Sequence, residues 1–311
     1  MTEVLTVTDS QTVTVTAPTT TESGTTTTIP TARHVLWGSS TPPQHTSSKE
    51  SEARWIEDQI GRKLDITRHY VRAPGDWTGD SAGASLASGR SVMVTFTSGG
   101  DSWNQVANGS LDSYIKAQVA KVKPFGKRVW IAFENEPEAE GGKGSAGDYA
   151  RAATHVFQVM DDAGYTGHET TAFMEYSWQS SSGRTPENWI PDGIDTLGVH
   201  VYFTRVGTCG VGVRSFASGV DDPYATATKF GLRMAIWEAG YSTKAGTSPE
   251  LKVDFFRSIP VALEKFSRID AITYWNQGSG KCADANSYYL DSSAAALRGF
   301  TDAGHTEILG G

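Results

Sequence analysis

Eight short β-like runs follow one another after residue 33, several of them apolar on both faces, with helix-patterned segments between them. Together these features predict an α/β protein closed as a (β/α)8 TIM barrel, since parallel strands covered by helices lose the polar alternation of a solvated sheet. The runs are HVLWG at 34–38, DITRHYVR at 65–72, SVMVTFT at 91–97, KRVWIAFE at 127–134, ETTAFMEY at 169–176, DTLGVHVYF at 195–203, LRMAIWE at 232–238 and DAITYW at 270–275. Four intervening segments carry helical period or helix-start signals: SKESEARWIEDQIG, SLDSYIKAQVAKVKPFG, GDYARAATHVFQVMDDAG and SPELKVDFFRSIPVALEKF. In the last, Ser248 suits an N-cap and Pro249 the first helical position, and Pro260 is expected to kink the helix midway. The second and fifth helices are weakly marked and expected to be short or irregular. A doubly wound open sheet is the alternative, but no GxGxxG turn follows the first strand.

The chain has 311 residues, 38% of them hydrophobic, which is enough for one large barrel. Residues 1–32 are set apart as a Thr-rich arm or linker, and 33–311 as the barrel domain. Fourteen of the first 31 residues are Thr, too little apolar surface to offset the entropy of ordering. The arm reads as a flexible linker, or, through the alternation of TVTDSQTVTVT, as a strand that pairs outside the domain. In both readings it attaches the domain to a larger assembly.

A formal net charge of −8 argues against binding nucleic acid through phosphate neutralisation and favours a neutral substrate. No stretch is long and apolar enough to span a membrane, and MTEVLTV lacks the basic start and apolar core of a signal peptide. Seven scattered histidines without HExxH or CxxC spacing give no support for a metal, and no cofactor is expected. Cys209 and Cys282 are either two buried thiols or one disulfide between loops, and their Gly-rich contexts favour the bond.

In such a barrel the reactive face lies at the carboxyl ends of the strands. Strand two ends in Arg72, strand four delivers Asn135 and Glu136, strand six carries His200 and Tyr202, strand seven ends in Glu238 and strand eight in Trp275. Glu136 and Glu238, 102 positions apart, then face each other across the mouth. Paired carboxylates flanking a substrate are what glycosidic cleavage requires, one donating a proton to the leaving oxygen and the other attacking the sugar carbon or activating water. Taken singly, each has a plainer reading: a surface ion pair for Glu136, a satisfied core group for His200, a counter-ion for Arg72. Trp37, Trp77, Trp103, Trp178 and Trp275 fall at or just after the same strand ends, where flat rings can stack on sugars. Trp130 and Trp237 lie within strands and are assigned to the core. Of the closely spaced Glu134, Glu136 and Glu138, the middle one is singled out, with Glu134 pointing away and Glu138 in the following loop.

The NEP at 135–137, HVY at 200–202, WE at 237–238 and Trp275 resemble clan A glycoside hydrolases, retaining (β/α)8 enzymes with acid/base and nucleophile at the ends of strands four and seven. The likeness covers nearly the whole chain after Arg33. GRKLDITRHYVR, NGSLDSYIKAQVAKVKPFGKRVWIAFENE and PDGIDTLGVHVY look most like family 26, the β-mannanase family. That family has His directly before the acid/base, whereas Asn135 here is like family 5, in which the Asn contacts the sugar 2-hydroxyl. The resemblance implies Glu136 as acid/base, Glu238 as nucleophile held by Tyr202, and Trp275 as sugar platform; Arg72, at the end of strand two, is expected to help keep Glu238 ionised and aimed. The expectation is a retaining, endo-acting hydrolase of a β-linked polysaccharide, extracellular or virion-associated. The alternative is a non-hydrolytic carbohydrate-binding or structural barrel of a larger assembly such as a phage tail.

Overall fold

The computed structural model describes residues 33–139, 142–204, 215–242, 249–278 and 288–310. The arm, both cysteines and Ser248 lie outside the described residues. Among the described residues, nine parallel strands are β1 (Leu36–Ser40), β2 (Ile66–Arg72), β3 (Ser91–Thr97), β4 (Val129–Phe133), β5 (His168–Thr170), β6 (Phe173–Met174), β7 (Thr196–Thr204), β8 (Arg233–Ser242) and β9 (Ile269–Tyr274). They follow the order β5-β4-β3-β2-β1-β9-β8-β7-β6, and a β5–β7 pairing at Thr170 and Thr196 closes the ring. Because β5 and β6 share the fifth place, the result is an eight-stranded parallel barrel.

Around it run α1 (Lys49–Ile60), α2 (Asp80–Ala87), α3 (Trp103–Ala107), α4 (Asp112–Val122), α5 (Ala146–Asp162), α6 (Phe216–Lys229), α7 (Glu250–Lys265) and α8 (Ala294–Gly304). Ser48 and Ser145 begin α1 and α5 with reciprocal capping boxes, satisfying amide groups the first turn leaves free. As the weak sequence marks imply, α2 has only eight residues, and among the described residues β6 is followed by short 3-10 turns at Glu175–Trp178, Ser180–Ser182 and Pro186–Trp189. One continuous helix, α7, runs through Pro260.

Strand alternation divides the core in two. Ile66, Met93, Trp130, Ala132, Ala172, Ala235, Trp237 and Ala271 fill the barrel interior, while a larger cluster packs the strands' outer faces against the helices. Two irregularities bear on the site. The first is in β8: Val199 pairs with Ile236 but His200 pairs with Glu238, so Trp237 is an extra residue, a β-bulge. Ala235 and Trp237 already face inward, and regular alternation would send Glu238 out to the helices. The bulge turns it back into the mouth.

The second is the break between β5 and β6, where the sequence pattern suggested one run over 169–176. The Thr171 hydroxyl accepts from the Gly198 amide at 3.0 Å and donates to the Gly198 carbonyl at 2.9 Å, so a side chain mends the ladder to β7. Position 198 must be glycine, because a Cβ there would stand 2.0 Å from the Thr171 carbonyl oxygen. The break also leaves the Ala172 carbonyl free to accept the Glu136 amide at 2.8 Å.

Candidate active site

The turn after β4 carries three glutamates, and their backbone explains their division of labour. Glu134 has φ 63° and Glu136 φ 49°, left-handed values that cost a non-glycine residue on the order of 1–2 kcal/mol. Such a turn persists only if its side chains are tied down. The Glu134 Oε1 accepts from the Ser98 amide at 3.0 Å and the Ser98 hydroxyl at 2.6 Å, and Lys143 Nζ lies 2.9 Å away. On the opposite flank Glu138 Oε1 accepts from the Met174 amide and from the Ser177 hydroxyl at 3.1 Å. Held between these two straps, Glu136 projects into the barrel mouth. Glu134 does point away, but its own positive φ is the cause rather than simple alternation.

Glu238 arrives from β8 with its side chain only 4% exposed. Tyr70 donates to its Oε1 and Tyr202 to its Oε2, and Arg68 Nη2 lies 3.2 Å from Oε1. An ionised carboxylate is acceptor-only, and this donor set matches it. Arg68 is itself buried, donates at 3.1 Å to Asn135 Oδ1, and lies 4.7 Å over the Tyr70 ring. Burial and the neighbouring Glu238 push both tyrosine hydroxyls well above their ordinary range, although Arg68 pulls Tyr70 the other way. They therefore act as neutral donors.

His200 Nδ1 lies 2.6 Å from Glu136 Oε1 and 3.6 Å from Glu238 Oε2, bridging the two acids. Burial lowers its pKa to about 3 against the opposing pull of Glu238, so the imidazole is neutral. Burial likewise raises the Glu136 carboxyl, with Arg68 opposing. The two carboxylates thus sit in unlike environments: one desolvated against a neutral ring, the other wrapped in donors. The facing atoms of Glu136, His200 and Glu238 lie within 4.8 Å of one another. A cation at this spacing would have to displace the 2.6 Å hydrogen bond and both tyrosine donors, so the set is better suited to proton chemistry.

Asn135, Glu136, His200, Tyr202, Glu238 and Trp275 are brought to one mouth. Trp275 is half-buried and meets Tyr70 edge-on, ring centroids 6.1 Å apart. Arg72 is displaced from the position expected of it: it is exposed beyond the rim, and Arg68, four residues and two full alternations earlier, pairs with Glu238. Four tryptophans are also corrected. Trp37, Trp77 and Trp103 are 0%, 0% and 2% exposed and offer no face to a sugar. Trp37 occupies an outward position of β1 and stacks on Phe300 of α8, Trp77 packs on Phe96, and Trp103 begins α3 against Tyr149. Trp178 packs on the outer core, its indole N–H donating to Thr226 of α6 at 2.9 Å. The residues sequence reasoning missed, Arg68 and Tyr70, share the parity of Ile66 in β2, which was the available signal.

Loss of a hydrogen bond to a buried charge is worth about 1.5–3 kcal/mol, so Tyr202→Phe is expected to lower kcat roughly ten- to a hundredfold. Arg72→Ala should stay within about twofold, as surface substitutions do. Steady-state kinetics in which Arg72→Ala lost more than Tyr202→Phe would return Arg72 to the site.

No family model matches the chain. Among curated proteins, endoglucanase H of Acetivibrio thermocellus is 28% identical over 88 residues, covering 28% of this chain and 10% of that protein. The chain thus matches a tenth of that relative's length. Among solved structures, XacCel5A in complex with cellopentaose aligns with a TM-score of 0.63 at 15% identity, covering 86% of this chain and 98% of that one. The catalytic domain of the GH26 endo-β-1,4-mannanase of Bacillus sp. JAMB-750 aligns with a TM-score of 0.58 at 14% identity, covering 89% and 87%. At these identities the likeness establishes the barrel fold.

Proposed function

We propose that this chain is a retaining, endo-acting glycoside hydrolase of a β-linked polysaccharide. The observation that carries the reading is the pair Glu136, at the end of β4, and Glu238, on β8, with facing oxygens within 4.8 Å across the mouth. Retaining enzymes hold their carboxyl groups about 5–5.5 Å apart, whereas inverting ones leave about 6.5–9.5 Å for a water. Glu238 attacks the anomeric carbon as Glu136 gives its proton to the departing glycosidic oxygen, leaving a glycosyl ester on Glu238. Glu136, now ionised, takes a proton from water as that water attacks the same carbon and Glu238 departs. Asn135, its carbonyl held by Arg68, presents its amide to the sugar 2-hydroxyl, and Trp275 with Tyr70 walls the sugar. Fold neighbours that bind cellopentaose or are named β-1,4-mannanases favour β-1,4-glucans and β-mannans as first substrates. The protein acts extracellularly or on a virion, where such glycans are met.

The test is reducing-end release from β-mannan, β-glucan, xylan and bacterial envelope glycans, with the first-formed anomer read by NMR. A β-anomer product is expected. An α-anomer would overturn the retaining mechanism, and binding without release across the panel would favour the non-hydrolytic reading.

A further inference from the structure

Glu138 is not needed for bond cleavage, yet it is 8% exposed, two residues beyond Glu136, and only one of its oxygens is satisfied. Oε1 accepts from the Met174 amide and the Ser177 hydroxyl, while Oε2 is buried with no partner among the described residues. Around the carboxyl, Phe173, Ser177, Trp178, Pro186 and Trp189 enclose a space with no room for a water molecule. An anionic oxygen there would be desolvated and unpaired, a heavy cost; a carboxylic acid leaves only a hydroxyl unpaired. Among the described residues, the charged or titratable groups nearby are few. Glu136 on the same turn opposes ionisation, Tyr149 of α5 is a neutral phenol, Glu134 reaches toward that same tyrosine from the other strap, and Arg184 reaches the Ser177 hydroxyl at 3.4 Å. Glu175 lies on the same 3-10 turn as Ser177.

Building on the reading of Glu136 as acid/base, we propose that Glu138 is a positioning residue that fastens the catalytic turn to the β6 segment in its uncharged form and releases it on ionising. The acceptor oxygen does the fastening; the proton on the other oxygen is what lets the carboxyl stay in its dry seat. Burial raises its pKa to about 7, with the backbone and Ser177 hydrogen bonds opposing. A carboxyl raised in the folded state is protonated below that value, so the strap is intact in acid and loosens as pH rises through neutrality. Glu136 also loses its acid proton on the alkaline side, and the two ionisations couple through their proximity.

The discriminating measurement is the alkaline limb of log kcat/KM against pH. In the native enzyme it should fall with a slope steeper than −1, because two protons are lost. Glu138→Gln keeps the accepting oxygen and cannot ionise, so its limb should fall with slope −1 while kcat at pH 5.5 stays within about threefold of native. Glu138→Ala removes the strap and should lower kcat by about 10- to 100-fold at every pH, the scale of a misplaced catalytic group. Should the glutamine variant fail to fold, Ser177→Ala, which removes one strap bond, should lower kcat at pH 5.5 severalfold with KM unchanged. A native limb of slope −1, a Glu138→Gln profile superimposable on native, or native kcat in Ser177→Ala would each overturn the proposal. An inactive native protein would instead overturn the hydrolase reading itself.

Discussion

Under the proposed mechanism, replacement of Glu238 by glutamine is expected to lower kcat on a β-linked glycan by roughly 10⁴–10⁶-fold, the scale on which loss of a nucleophile registers elsewhere. The amide keeps the shape and an accepting oxygen for Tyr70 and Arg68, and its NH2 can donate to the Tyr202 hydroxyl oxygen, so the fold should survive, as circular dichroism would check. What is lost is the electron pair that forms the ester bond. The diagnostic is rescue: in Glu238→Gly, azide in the emptied space attacks the anomeric carbon from the nucleophile's side and yields a glycosyl azide of inverted configuration. Retained configuration, or undiminished hydrolysis in Glu238→Gln, would rule Glu238 out as nucleophile.

Glu136→Gln should produce a smaller and more conditional loss. General acid catalysis contributes about 10²–10⁴-fold, and the loss should be felt fully only when the leaving group needs a proton. On a natural glycan the loss should span that range. On an aryl glycoside with a nitrophenolate leaving group the first step needs no proton, so a burst of phenolate should precede a slow phase in which the ester on Glu238 awaits a base. Equal losses on both substrates would mean that Glu136 supports structure only. In the native protein the proposed activity should fall as pH rises through the Glu136 pKa, which burial raises: a raised acid is active below its pKa and spent above it.

The eight strands were readable because their apolar runs are continuous and their breaks carry turn residues, and SVMVTFT coincides with β3 at both ends. The site was readable as far as strand ends could be guessed. Position alone placed Arg72 and four tryptophans at the mouth. Parity, the other half of a strand's information, would have chosen Arg68 and Tyr70 with Ile66 and sent Trp37 outward. Other features leave no local mark. Nothing in WIAFENEPE announces left-handed backbone at two glutamates, since the pull comes from Ser98, Lys143, Met174 and Ser177 on neighbouring segments. Nor does AIWEAGY show a bulge, which exists only relative to β7.

That supernumerary Trp237 makes the seventh stave a frame-shifted one. Anyone transplanting Glu238 into an idealised barrel, or deleting a residue upstream of it to shorten the strand, would deliver the carboxyl to the helical shell and a neighbour's side chain to the substrate. The facing pair of carboxyls is thus indexed by a counting error preserved in the backbone, and it travels between scaffolds only if the miscount travels with it.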